Sequence, residues 1–247
     1  MALKKKDLIF GIRTVIEAVK VGKDFDKIQV QRGTQSPLLK ELLALTKSAG
    51  IPVQFLPMEK FRVYAYKNHQ GVIAVLSPVT YQKIEDIIPQ IYEKGEEPFI
   101  LVLDEVSDVR NFGAISRTAE CAGVHAIVIP DKGSAAINSD AIKASAGALY
   151  NIPICRTHNL MGAVDFMKES GLKLVAANEK SDEDYSAVDL SGPLALVMGS
   201  EDKGVSYKIL KLCDFSARIP ILGTIESLNV SVATGILLYE VVKQRKV

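Results

Sequence analysis

From Phe99 onward the chain alternates short apolar runs with stretches of helical periodicity, and this alternation limits its possible folds more than any single motif does. Phe99–Leu103, His125–Ile129, Ile152–Cys155, Leu172–Ala176 and Leu194–Met198 have the length of strands, not of buried helices. Runs that are apolar at nearly every position are buried on both faces, which is the condition of a parallel sheet covered by helices. Helices are predicted over Ala114–Ala122, Ala141–Ala148, Leu160–Ser170, Tyr207–Cys213 and Ser231–Lys243, with Gly123 and Gly171 as stops and a last short strand at Ala217–Ile219. The fold class is therefore α/β. In such sheets ligands sit beyond the carboxyl ends of the strands, so chemistry is to be sought in the loops after Leu103, Met198 and Ile219.

The front of the chain reads differently. Over residues 7–77, helical spacing at Thr14–Val21 and Pro37–Ala49 alternates with strands at Ile28–Val30, Ile51–Phe55 and Gly71–Leu76, giving a small α/β domain. Ser36 is placed to cap the second helix, with Pro37 in its first turn and Gly50 past its end. The expected division is a domain over 1–80, a polar linker over 81–97 containing a helix at Lys83–Glu93, and a second domain over 98–247. The formal net charge of +1 hides an asymmetry, because residues 1–80 hold 13 Lys and Arg against 6 Asp and Glu. A basic front on a near-neutral rear suggests that one part holds a polyanion, although a solvated lysine surface would give the same count. No apolar run approaches the roughly 18 residues of a membrane span, and Leu8–Ile12 is too short for a signal-peptide core. A cytoplasmic protein with no membrane partner is expected. Cys121, Cys155 and Cys213 are widely spaced, and with scattered histidines they form no metal pattern. They read as buried or inert thiols in a reducing compartment.

Three loops carry polar residues in suggestive order. The first, Asp104–Gly113, leads into the helix that holds Arg117; Asn111 stands where it could cap that helix, and a cation in its first turns opposes the macrodipole and calls for an anionic partner. The second is Met198-Gly-Ser-Glu201-Asp-Lys-Gly204. Its two glycines are not a phosphate loop, since Val205-Ser206 follow where Lys and Ser/Thr are required, and its acids would repel phosphate. No GxGxxG is present. The third, Ile219–Asn229, places Ser227 and Asn229 at the mouth of the last helix. Ordinary capping accounts for any one of these residues alone.

Taken together, Asn111-Phe-Gly-Ala-Ile-Ser-Arg117-Thr-Ala, Met198-Gly-Ser-Glu201-Asp-Lys-Gly204 and Ile219-Pro-Ile-Leu-Gly-Thr-Ile-Glu-Ser-Leu-Asn229-Val-Ser-Val-Ala resemble the three motifs of the SpoU (TrmH-type) RNA 2′-O-ribose methyltransferases of the SPOUT superfamily. The resemblance covers about 98–247. The front domain, ending in Asn68-His69-Gln70-Gly71-Val72, is similar to the substrate-binding module of the branch that methylates a guanosine of large-subunit ribosomal RNA.

The resemblance implies a parallel-sheet catalytic domain closed by a C-terminal trefoil knot, a homodimer, and S-adenosylmethionine as cofactor. Met198, Gly199, Gly204, Ile219 and Leu228 would hold the cofactor. Arg117 would act on the ribose hydroxyl, with Asn111, Glu201, Ser227 and Asn229 positioning it and the ribose. Arginine gives up its proton only above a pH of about 12, so a cation that stabilises the developing alkoxide is preferred here to a base. Family members usually carry a proline shortly before the first motif's asparagine, and this chain has Val109-Arg110 there instead. Arg110, with Lys67, Asn68 and His69, is expected to contact RNA. A lone histidine near a strand is usually structural, and its place in a basic front domain keeps RNA contact open. Transfer RNA, a resistance-linked ribosomal site, or a non-catalytic role in ribosome assembly are the alternatives; the retained polar set argues against the last.

Overall fold

The computed structural model describes residues 8–245, so the basic stretch Lys4–Lys6 lies outside the described residues. The chain forms two compact units, divided between Thr80 and Tyr81. The first contains β1 (Leu8–Phe10), α1 (Ile12–Lys20), β2 (Phe25–Gln31), α2 (Pro37–Ser48), β3 (Val53–Leu56) and β4 (Val72–Leu76). Its sheet runs β1-β4-β2-β3. Strand β4 is antiparallel to both neighbours, whereas β3 lies parallel to β2, an arrangement that needs a crossover and receives it from α2. Helix α2 starts where the sequence predicts: the Ser36 hydroxyl accepts the Leu39 N–H at 3.1 Å and Pro37 occupies the first turn. Val15, Ile16, Phe25, Ile28, Leu42 and Val72 build the core of this unit.

The second unit holds β5 (Tyr81–Gln82), α3 (Ile84–Glu93), β6 (Phe99–Leu103), α4 (Val109–Cys121), β7 (Ala126–Pro130), α5 (Ser139–Ala144), β8 (Ile154–Thr157), α6 (Leu160–Glu169), β9 (Lys173–Ala177), β10 (Leu194–Met198), α7 (Tyr207–Leu210), β11 (Phe215–Ala217) and α8 (Val230–Arg245). Its strands lie in the order β11-β9-β10-β6-β7-β8-β5 and every pairing is parallel. All five residues of β6 and of β10 are buried, because helices cover both sides of the sheet. Helices α3, α6 and α7 share one core cluster with Ile100, Val102 and Val197, while α4 packs on α5 and α8.

Residues 81–97 are not a linker. Tyr81–Gln82 pair with β8, and α3 buries Ile84, Ile87, Ile88 and Ile91 in the main core. The polar residues of this stretch lie on the solvent side of an amphipathic helix, which a composition average cannot separate from a solvated tether.

The chain runs β6, β7, β8 to one side, then returns with β10 pairing on the other side of β6. The switch point between β6 and β10 is where the topology opens a crevice at the carboxyl ends. The loops that leave Leu103 and Met198 begin at that point.

Candidate active site

Helix α4 is longer than its sequence suggests. It begins at Val109, capped by Asp108, whose carboxylate accepts the N–H groups of Arg110 and Asn111 at 2.9 and 2.8 Å. Asn111 is therefore not the cap but the third residue of the helix, and its side chain is left to reach outward. Gly113 lies inside the helix and permits close packing on α5, since a Cβ there would lie 2.4 Å from the Ala144 Cβ and 2.9 Å from the Ala141 carbonyl. Arg117 accordingly lies in the C-terminal half of α4, where a cation suits the macrodipole. The electrostatic reason for expecting an anionic partner does not hold.

The loop after β10 is tightly folded. Ser200 and Gly204 bond to each other's backbone in both directions, at 3.2 and 2.9 Å. An added Cβ on Gly199 would come within 1.9 Å of the Gly204 carbonyl carbon and 2.0 Å of the Val205 nitrogen, so backbone passes where a side chain would stand. Glu201 projects from this loop. Its carboxylate accepts from the Asn111 side-chain amide and, at 3.5 Å, from that of Asn229. The Asn229 amide also donates to Asn111 Oδ1 at 3.1 Å. Asn229 meanwhile starts α8, its Oδ1 accepting the Ser231 N–H at 2.9 Å. Three residues separated by up to 118 positions thus meet at the β6–β10 switch point.

Beside this trio lies a cleft of about 920 Å³. Met198, Gly199, Gly204, Ile219, Ser227 and Leu228 line it, joined by Ala177–Lys180 after β9, which the sequence motifs do not single out. A signal for them exists, since that loop also leaves the carboxyl end of a strand. The lining holds four acids (Glu179, Glu201, Asp202, Glu226) against two lysines (Lys180, Lys203), with Leu210 and Leu237 in the apolar wall. Backbone-rich walls, apolar contact and an acidic excess suit a mixed apolar and cationic ligand and disfavour a polyphosphate.

Arg117 is not in this assembly. It is exposed, forms no hydrogen bond or ion pair among the described residues, and does not line the cleft. Six residues after Asn111, it lies roughly 120° around the helix from it. Arg110, two turns before Arg117 on the same face, is exposed too. In the first unit Lys67 and Asn68 are exposed. His69 serves the structure of its own turn. Its Nδ1 accepts the Gly71 N–H at 3.0 Å and its ring lies 5.4 Å from that of Phe61.

A ligand cleft at the switch point of a helix-covered parallel sheet, lined by Glu201, whose carboxylate holds Asn111 and Asn229, defines an α/β enzyme-type domain that follows the first unit in sequence. Residues 98–239 match the SpoU rRNA Methylase family, residues 8–82 match the RNA 2′-O ribose methyltransferase substrate-binding family, and the chain belongs to the SpoU methylases. It is 37% identical to YacO of Bacillus subtilis (strain 168), a protein assigned by name to the TrmH family of tRNA/rRNA methyltransferases, over 98% of this chain and 97% of that one. The AdoMet-bound rRNA methyltransferase of Sinorhizobium meliloti aligns with a TM-score of 0.60 at 27% identity, covering 96% of this chain and 86% of its own. A TrmH/SpoU tRNA modifying enzyme of A. aeolicus aligns with a TM-score of 0.55 at 31% identity, over 66% of this chain and 84% of that one.

Proposed function

We propose that the protein transfers a methyl group from S-adenosylmethionine to a ribose 2′-hydroxyl of ribosomal RNA. The observation that carries this reading is the convergence of Asn111, Glu201 and Asn229 beside an acid-lined, backbone-walled cleft in a SpoU-family chain. The cleft fits the cofactor: Met198, Ile219, Leu228 and Leu237 offer apolar surface, Gly199 and Gly204 expose backbone, and the acidic excess favours a ligand with a positive charge. When bound, S-adenosylmethionine supplies a methyl group already activated on a sulfonium. What remains for the chain is to align the acceptor hydroxyl and stabilise it as its proton leaves. Asn111, Glu201, Ser227 and Asn229 hold the ribose, and Arg117 faces the developing alkoxide as a cation.

In one chain Arg117 lies outside the cleft, and this favours a homodimer in which each site draws on both copies. Helix α8 supports that arrangement. It buries Thr234, Leu237, Leu238 and Val241 within its own unit, yet Val232 and Tyr239, seven residues apart on one stripe, are 52% exposed each. A helix apolar on two sides is a helix with two partners. The knot belongs to the same reading: the segment leaving edge strand β11 returns across the carboxyl ends to seat α8 on α4.

Ribosomal over transfer RNA is favoured by the substrate-binding unit and by the coverage of the Sinorhizobium meliloti enzyme, 96% of the chain against 66% for the tRNA enzyme. Incubation with labelled cofactor and unmodified ribosomal or transfer RNA tests this. The label is expected in one nucleotide of large-subunit RNA; label in transfer RNA alone would redirect the substrate, and label in neither would overturn the proposal.

A further inference from the structure

We infer that Asp104, a buried carboxylate at the end of β6, is a positioning residue that fixes the cofactor loop and the Glu201 cluster together. This rests on the methyl-transfer reading above. Asp104 is 5% exposed and, with Glu240, one of two buried acids among the described residues. Its N–H donates to the Met198 carbonyl at 2.8 Å, which extends the β6–β10 pairing one step past Leu103 and Met198. Its Oδ2 accepts the Ser206 N–H, also at 2.8 Å and 102 residues away in sequence. One residue therefore grips both ends of the 199–205 loop, at the strand that enters it and at the nitrogen that leaves it.

The consequence is geometric. Gly199 and Gly204, which wall the cleft, and Glu201, which holds Asn111 and Asn229, all lie between those two anchors. Four residues beyond Asp104 the same chain segment supplies Asp108, the cap that sets where Asn111 emerges. Asp104 thus stands at the root of both loops whose side chains must meet. A buried carboxylate needs hydrogen-bond partners, and a loop amide is a strong one because the bond is charge-assisted. Loss of that anchor leaves the loop's exit at Ser206 untied, with the loop held by its own Ser200–Gly204 pair, the Lys203 N–H to Ser200 hydroxyl bond and the Glu201 contacts with Asn111 and Asn229.

Two variants remove the bond from opposite ends. Asp104→Ala deletes the acceptor. Ser206→Pro deletes the donor at a residue whose φ of −60° and extended ψ already suit proline and whose hydroxyl makes no cap bond. Asp104→Asn keeps an acceptor at the same place. Binding of S-adenosylhomocysteine by calorimetry, the melting temperature, and kcat against KM are measured for each full-length variant. Both bond-deleting variants should bind the cofactor product about 10- to 100-fold more weakly, the range expected for a buried hydrogen bond to a charged group. Their double variant should be little worse than either alone, since one interaction is removed twice. Asp104→Asn should recover most of the affinity. Lower melting temperature with unchanged affinity and unchanged kcat and KM would overturn the inference and leave Asp104 a stability residue. Failure of the wild type to bind S-adenosylhomocysteine at all would instead contradict the methyl-transfer reading on which it rests.

Discussion

Gly199 shows how a single position can define a site. Strand β10 brings it against the backbone of Gly204 and Val205, and the space for a side chain is taken by a peptide group that cannot rotate away. Gly199→Ala must therefore open the loop; cofactor affinity is expected to fall at least tenfold in calorimetry, with the fold retained by circular dichroism. Arg117→Ala is the opposite case. Exposed and outside the cleft, it should leave cofactor affinity within a few-fold while methyl transfer is lost, and wild-type turnover would contradict its role. The cysteines separate by burial. Desolvation raises the Cys155 and Cys213 thiols to about 12, whereas Cys121 is exposed at the end of α4. At pH 7.5 iodoacetamide should modify Cys121 first and spare the other two until unfolding, as read by peptide mass. Spacing alone cannot make that distinction, because it does not say which side of α4 faces solvent. Residue identities at the site are legible in the motifs. Their meeting is not: hydrogen bonds spanning 90 and 118 positions are products of the tertiary fold.

At the scale of elements, the central strands are legible because five-residue apolar runs have few other uses. β6 and β10 fall at the predicted residues, Phe99–Leu103 and Leu194–Met198. Helix α4 starts five residues before the predicted Ala114. Gly113 lets α4 approach α5, the close packing that a glycine at this place permits. Strands β1 and β5, of three and two residues, are too short for periodicity and exist through pairing with β4 and β8. The corrected start of α4 gives a prediction: Asp108→Ala removes two cap bonds and should cost about 1 kcal/mol in urea unfolding. Because the cap also sets where Asn111 emerges, activity should fall by more than that loss of stability explains.

At the scale of the whole molecule, the positive balance and the cleft fall in different units. The first carries the positive balance and exposes Lys60, Arg62, Lys67 and Tyr66 around a turn fixed by His69. Reversing the charge at Lys60, Arg62 and Lys67 should weaken RNA binding and lower the salt dependence by about three counterions, with cofactor binding unchanged. The second unit holds the cleft but keeps Arg117 out of it, so a homodimer predicts complementation. Chains carrying Arg117→Ala, inactive alone, and chains carrying Gly199→Ala, impaired at limiting cofactor, should regain activity at limiting cofactor when co-expressed. Alkaline hydrolysis of RNA labelled by the wild-type protein shows which atom receives the methyl group. Alkali cleaves RNA through the free 2′-hydroxyl, so a 2′-O-methyl group protects its own linkage. The labelled methyl is expected in an alkali-stable dinucleotide, with none incorporated by Arg117→Ala; label released in mononucleotides would put the methyl on a base and overturn ribose methylation.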